Sequence, residues 1–200
     1  MHLSVLESGQ RRRARAAMWL AANVGRSPID DVGKASLYRP ELFGRSWLAL
    51  VRAVLRGPSE WTAGERELFA AFVSRTNRCS YCTAVHSRMA SLGLGHPIPV
   101  EAIDSWRSAG FDPKIMAVFG LLEAAALGPE AVGKEHIDAI RGEGVSDGAI
   151  SDVLYLAFVF NLVNRLADAL GFSWSSDEET IKGARVLDRI GYKMPRFLLR

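Results

Sequence analysis

The chain has 200 residues, of which 48% are hydrophobic and 24% charged, with a formal net charge of +3 and a pI near 9.1. This composition fills a globular core and excludes a disordered, collagenous or fibrous chain. The slight basic excess comes without the concentrated basic face and reading motif that nucleic-acid binding needs. Two cysteines are too few for the disulfide framework of a small secreted domain, so a disulfide here is chemical rather than structural.

In chain order, the dense basic run Arg11, Arg12, Arg13 and Arg15 leads into an apolar segment over 16–24. It reads as a helix with a solvated face rather than a signal peptide, because Glu7 precedes it, Asn23 interrupts it and no small-residue cleavage site follows. A cytoplasmic location is the expectation, and no stretch reaches the roughly 18 uninterrupted apolar residues of a membrane span. Apolar residues three or four apart then predict helices over 40–55, 63–76, 79–92, 100–108, 113–127, 134–141, 147–170 and 177–190. The alternation and turn dipeptides of strands and hairpins are missing, so the class is all-α.

Several starts carry cap chemistry. Thr62 with Glu65 forms a capping box, Asp112 precedes Pro113 at a first helical position, and Ser175 with Glu178 or Ser176 with Glu179 offers another box. Asn77 offers a turn or a new cap, and the second helix is expected to stop in the Gly93, Gly95 and Pro97 cluster. Residues 150–170 are apolar on nearly every side in their first half, which implies burial against several helices or another subunit. With no linker, repeat or low-complexity tract, the simplest organisation is one domain over 1–200, with an N-terminal helical extension over 1–39.

Both cysteines fall in Arg78-Cys79-Ser80-Tyr81-Cys82-Thr83-Ala84-Val85-His86. On a helix, positions three or four apart share a face, so Cys79, Cys82 and His86 form one stripe and the two sulfurs can meet. Such a pair cycles between dithiol and disulfide, and a helix N-terminus favours the thiolate. His86, one turn beyond Cys82, can take or return a proton near neutral pH. A turn near Asn77 folds the preceding helix back so that a carboxylate can reach His86. Glu67 is the better candidate, since Glu65 is committed to its own cap. Helix-dipole reasoning favours Cys79 as the attacking sulfur and proximity to His86 favours Cys82.

Other readings stand beside this one. Buried cysteines are often plain small hydrophobes, but the paired spacing argues against that here. A structural zinc site wants four ligands, and His96 or His136 would have to join the three. Haem attachment needs histidine directly after the second cysteine, where Thr83 stands. Phe69, Phe72, Tyr81 and Phe160 at helical spacing read as core rather than as a substrate pocket.

The run from Glu67 to His86, with its Ser74-Arg75-Thr76-Asn77 turn, its Cys-x-x-Cys and a histidine four later, resembles the core of the alkylhydroperoxidase D-like (AhpD-like) proteins of the carboxymuconolactone decarboxylase superfamily. The likeness is strong over 61–93. Residues 161–171 are similar to the closing helix of peroxidase-related members, and the first forty residues add nothing to it. The resemblance implies an AhpD-like helical bundle, with the motif at the N-terminal end of a helix. It also implies a homotrimer or homohexamer that reduces peroxides or passes electrons to a peroxidase without metal, haem or other cofactor. Cys82 would be the reactive sulfur, Cys79 its disulfide partner, and Glu67 with His86 a proton relay. The electron donor would be a lipoyl-bearing or thioredoxin-like protein, with no nucleic acid or membrane involved. One departure is Tyr81, which stands where the best-studied type has a further histidine and whose hydroxyl, with an ordinary pKa of about 10, does not shuttle protons at neutral pH. The alternatives are a non-catalytic redox-responsive oligomer, a zinc-binding module, or a decarboxylase-like enzyme, whose relatives generally lack the cysteine pair.

Overall fold

The computed structural model describes residues 1–25 and 27–199. Its helices, in chain order, are α1 (Val5–Ser8), α2 (Arg12–Asn23), α3 (Asp31–Tyr38), α4 (Pro40–Phe43), α5 (Arg45–Arg56), α6 (Ala63–Thr76), α7 (Ser80–Leu94), α8 (Val100–Asp104), α9 (Pro113–Leu127), α10 (Lys134–Gly142), α11 (Asp147–Leu170) and α12 (Asp177–Ile190). The fold is 72% helical and has no strand among the described residues, in line with the all-α expectation.

The local chemistry explains most starts. Thr62 accepts from Glu65 N–H while the Glu65 carboxylate accepts from Thr62 N–H, closing the capping box of α6. Asp112 caps α9 ahead of Pro113, and Ser176 caps α12 by accepting from Glu179 N–H. Three expected boundaries move. The helix expected over 40–55 breaks at Gly44, where the chain turns so tightly that a Cβ would lie 2.4 Å from Pro40 Cα. The expected 100–108 helix ends at Asp104. Beyond it, Trp106 turns inward to meet Phe72 and Phe119 edge-on, each with centroids 5.9 Å away. Helix α7 runs two residues past the expected Leu92 and stops within the expected glycine and proline cluster, at Gly95 in the left-handed conformation (φ +77°).

The chain divides into two compact units. In the first, residues 1–53 with residues 166 onward, Ala14 and Leu37 are buried, with Met18, Ile29, Leu48, Met194 and Leu198 packed against them. Asp30 caps α3, the Asp31 carboxylate accepts from Ser173 N–H, and Arg52 donates to the Gly191 carbonyl at 3.0 Å.

The second unit, Val54–Arg165, holds the cysteines. Here α6 is buried on almost every side, and it forms an antiparallel hairpin with α7. The two backbones touch where Gly64 faces Gly93, and a Cβ on Gly93 would lie 2.6 Å from Gly64 Cα. Around the hairpin an aromatic core assembles. Phe72 stacks on Phe119 with centroids 4.1 Å apart, Trp61 meets Phe69 edge-on, and the Trp61 indole donates to the Ala149 carbonyl at 2.9 Å. Each such fully buried side chain contributes about 1.5–3 kcal/mol relative to exposure.

Within this unit, one face of α11 is buried through Val153, Leu156, Val159, Phe160, Val163 and Asn164, while Leu154, Tyr155, Phe158 and Leu162 are exposed. The expected all-round burial of its first half is therefore met on one side only. Among the described residues α11 alone has the length and apolar composition of a membrane span, and 44% of its most apolar window is buried.

Candidate active site

Cys79 and Cys82 are placed by the sharp turn between α6 and α7. Asn77 N–H still bonds to Val73 O, Arg78 then enters the left-handed region (φ +63°), and Cys79 N–H returns to Ser74 O at 2.9 Å. A non-glycine residue held at positive φ costs of order 1 kcal/mol or more, so something must hold it. Three asparagines do so. The Asn77 amide donates to Asn161 Oδ1 at 2.8 Å and to Asn164 Oδ1 at 2.9 Å. Asn164 in turn donates to Ser74 Oγ, and Asn161 to Ala125 O. The turn is thereby tied to α11 and to α9.

Cys79 sits at the N-cap of α7, and no side chain caps that end. A serine or threonine oxygen commonly occupies this position and accepts from the first turn's N–H groups. A sulfur there is offered the positive end of the helix dipole, which stabilises a thiolate. Cys82 follows one turn later, and neither cysteine is in a disulfide. The cysteines lie 3.6 Å apart, and their exposures are 0% and 4%.

His86 lies a further turn along α7, 7% exposed. Its Nδ1 is 2.6 Å from Glu67 Oε2, so the carboxylate accepts from Nδ1–H and Nε2 is the nitrogen left for proton exchange. The edge of the Phe160 ring closes on the imidazole, with centroids 4.8 Å apart. The structure thus brings Glu67, rather than the capping Glu65, to His86. It also brings Phe160 to the same place, whereas Phe69 and Phe72 stay in the core.

A second contact to Glu67 falls on a residue that the sequence reading passed over. Arg56 Nη1 lies 2.7 Å from Glu67 Oε1, with the two side chains 13% and 1% exposed. Arg56 ends α5, and in one dimension it reads as a cation favourable to a helix C-terminus. Only the folded contact, eleven positions along the chain, shows its partner. Next to it, Arg66 donates to the carbonyls of Gly57 at 2.9 Å and Val54 at 3.3 Å, which flank Arg56. Burial, and then the Arg56 charge, pull Arg66 below the ordinary guanidinium value, while Asp152, Glu67 and Glu65 act in the opposite sense. Among the described residues no three His, Cys, Asp or Glu side chains gather into a metal-binding group. His136 is held locally by Gly133 N–H, and His96 is exposed.

The arrangement is a close dithiol at a helix N-terminus beside a histidine oriented by a buried carboxylate, which is the parts list of thiol redox chemistry. Comparison with known proteins bears on the fold and on part of the chain. The carboxymuconolactone decarboxylase family matches residues 41–124, a span that includes Arg56, Glu67, Cys79, Cys82 and His86. In structure, the chain is similar to the alkylhydroperoxidase AhpD core of an uncharacterized peroxidase-related protein from Ralstonia eutropha JMP134, with TM-score 0.74, 22% identity, and 88% of this chain and 92% of that chain covered. It is similar also to an uncharacterized peroxidase-related protein from Silicibacter sp. TM1040, with TM-score 0.73, 21% identity and coverage of 86% and 90%. A third likeness is to the debrominase Bmp8 in its apo form, with TM-score 0.66, 14% identity and coverage of 86% and 92%. Among curated proteins none matches the sequence.

Proposed function

We propose that the chain, whose residues 41–124 match the carboxymuconolactone decarboxylase family and whose fold is AhpD-like, is a member of that superfamily and a thiol-dependent peroxidase or disulfide reductase acting through Cys79 and Cys82. The observation that carries the reading is a pair of cysteines, not joined in a disulfide and 3.6 Å apart, at the start of the helix that carries an imidazole hydrogen-bonded to a buried carboxylate. In the proposed cycle His86 Nε2 accepts the Cys82 thiol proton, and the thiolate attacks one peroxide oxygen. The O–O bond breaks, an S–O bond forms, and the departing alkoxide takes the proton from His86. Cys82 is now a sulfenic acid, oxidised by two electrons while the peroxide is reduced to alcohol. The Cys79 thiol then displaces water to form the disulfide, and an external dithiol reopens it by exchange. A lipoyl-bearing or thioredoxin-like protein in the cytoplasm would supply those electrons. A homo-oligomer would cover the exposed apolar face of α11.

A second reading has its own observation. Both sulfurs are buried, and Tyr81 occupies the place of a relay histidine. These features suit a redox-responsive protein, or an electron relay to a separate peroxidase, that forms its disulfide without turning over peroxide itself. One experiment separates the two. Reduced protein is mixed with cumene hydroperoxide, with and without a dithiol donor, alongside Cys82→Ser and His86→Ala. Catalytic loss of peroxide that disappears in Cys82→Ser supports the peroxidase. Untouched peroxide with a disulfide that forms and is reduced readily supports the relay. Catalysis undiminished in Cys82→Ser overturns the assignment of the sulfurs.

A further inference from the structure

We propose that Arg56 is a positioning residue that keeps Nε2 of His86 free of a proton at neutral pH, and so keeps the imidazole able to receive the Cys82 proton. The role of that imidazole rests on the thiol-redox reading above, but the charge state of His86 does not.

The argument begins with Glu67, whose carboxylate is 1% exposed. A carboxyl group taken so far from water favours its neutral form unless a positive charge holds the proton off. Arg56, at 2.7 Å from Oε1, is that charge. With Glu67 ionised, Oε2 accepts from the Nδ1–H of His86 at 2.6 Å, and the neutral imidazole carries its lone pair on Nε2.

Removing the Arg56 charge favours one of two changes, and both put a proton on Nε2. If Glu67 stays ionised, it stabilises an imidazolium, which is protonated at both nitrogens. If Glu67 takes up the proton, its O–H donates to Nδ1 and the neutral imidazole carries its hydrogen on Nε2. In either case the base proposed to serve Cys82 is lost. The other groups around the pair are Arg66, which packs beside Arg56, Asp152 and Glu65, which act on Arg66, the cysteines of α7, and the uncharged Phe160 ring from α11. Arg66 also feels the Glu67 charge, but its hydrogen bonds go to the Thr62, Val54 and Gly57 carbonyls rather than to the carboxylate.

The test is ¹⁵N NMR of the reduced full-length protein labelled at histidine, followed from pH 5 to 9, with His86→Ala identifying the His86 signals among the four histidines. In the wild type at pH 7, Nε2 is expected in the unprotonated range and Nδ1 in the protonated range. In Arg56→Gln, Nε2 is expected to move into the protonated range at pH 7. Arg56→Lys, which keeps a positive charge, is expected to restore the wild-type pattern in large part. Arg56→Met is read in the same way if the glutamine variant does not fold. A wild-type Nε2 already protonated at pH 7 overturns the proposal without any variant. An Nε2 that stays unprotonated in a folded Arg56→Gln or Arg56→Met protein overturns it too. If peroxide is untouched by the wild type while these shifts appear as expected, the peroxidase reading fails and the role of Arg56 in setting His86 stands.

Discussion

Gly93→Ala sets two effects of opposite sign against each other. Gly93 is an exposed position inside α7, and by helix propensity alone alanine there gains about 1 kcal/mol over glycine. The hairpin contact opposes this, because the new Cβ would lie 2.6 Å from Gly64 Cα and 3.0 Å from Gly64 N. Carbon atoms pack at about 3.5–4.0 Å, so α6 and α7 must separate by about 1 Å. What faces the methyl is backbone, not a flexible side chain. Overpacking of this kind costs typically about 1–3 kcal/mol. With the propensity gain set against the upper half of that range, we expect a net loss of about 1–2 kcal/mol, or a fall in Tm of about 2–8 °C for a chain of this size. Gly120→Ala is the control, since Gly120 lies within α9 and nothing is within 4 Å of its would-be Cβ. That variant is expected to gain up to about 1 kcal/mol. Urea unfolding of both variants reads the difference, and the two should move in opposite directions. A Gly93→Ala protein as stable as Gly120→Ala would refute the close crossing of the two helices, and with it the geometry that holds Glu67 against His86.

Asn77→Ala removes the donor shared by Asn161 and Asn164 and leaves their oxygens unanswered in a buried setting. A loss of about 1–3 kcal/mol is expected by chemical denaturation, together with slower disulfide formation, because the turn that positions Cys79 is released. Disulfide formation at the wild-type rate in a folded Asn77→Ala protein would show that the clamp does not place the cysteines. Arg75 grips Asp104 at 2.6 and 2.8 Å and holds its carboxyl below the usual range, chiefly through that hydrogen bond. A depressed folded-state pKa means that the stability is present above the unfolded value near 3.9 and is lost as pH falls through the folded one. The pair is largely exposed, so Asp104→Asn should cost less than about 1 kcal/mol at pH 7. It should cost nothing once acid has protonated the wild-type carboxyl. A penalty that did not shrink at all as the pH fell would show that shape rather than charge is at stake.

Much of the secondary structure is written locally. The Thr62–Glu65 box, Asp112 before Pro113 and Ser176 before Glu179 start helices through bonds that span two or three residues, so they are legible in one dimension. The misplaced boundaries share a different cause. Gly44 and Gly93 carry the same local signal as any glycine, but one permits a tight bend and the other permits two helices to touch. Trp106 leaves its helical pattern because Phe72 and Phe119 offer it a better place. In each case a partner distant in sequence outweighs local propensity.

The candidate site divides along the same line. The sequence by itself determined that Cys82 and His86 share a face one turn apart and that Cys79 lies at the start of the same helix. It also freed Glu67 for a role by committing Glu65 to a cap. Only the tertiary structure decided which carboxylate oxygen meets Nδ1, that Phe160 closes on the imidazole, that the asparagines of α11 hold the turn, and that Arg56 ends against Glu67. The physical reason is range. Caps and helical faces are set by bonds over a few residues, whereas the charge state of a buried carboxylate depends on whatever the fold brings within a few ångströms, and sequence distance carries no record of that.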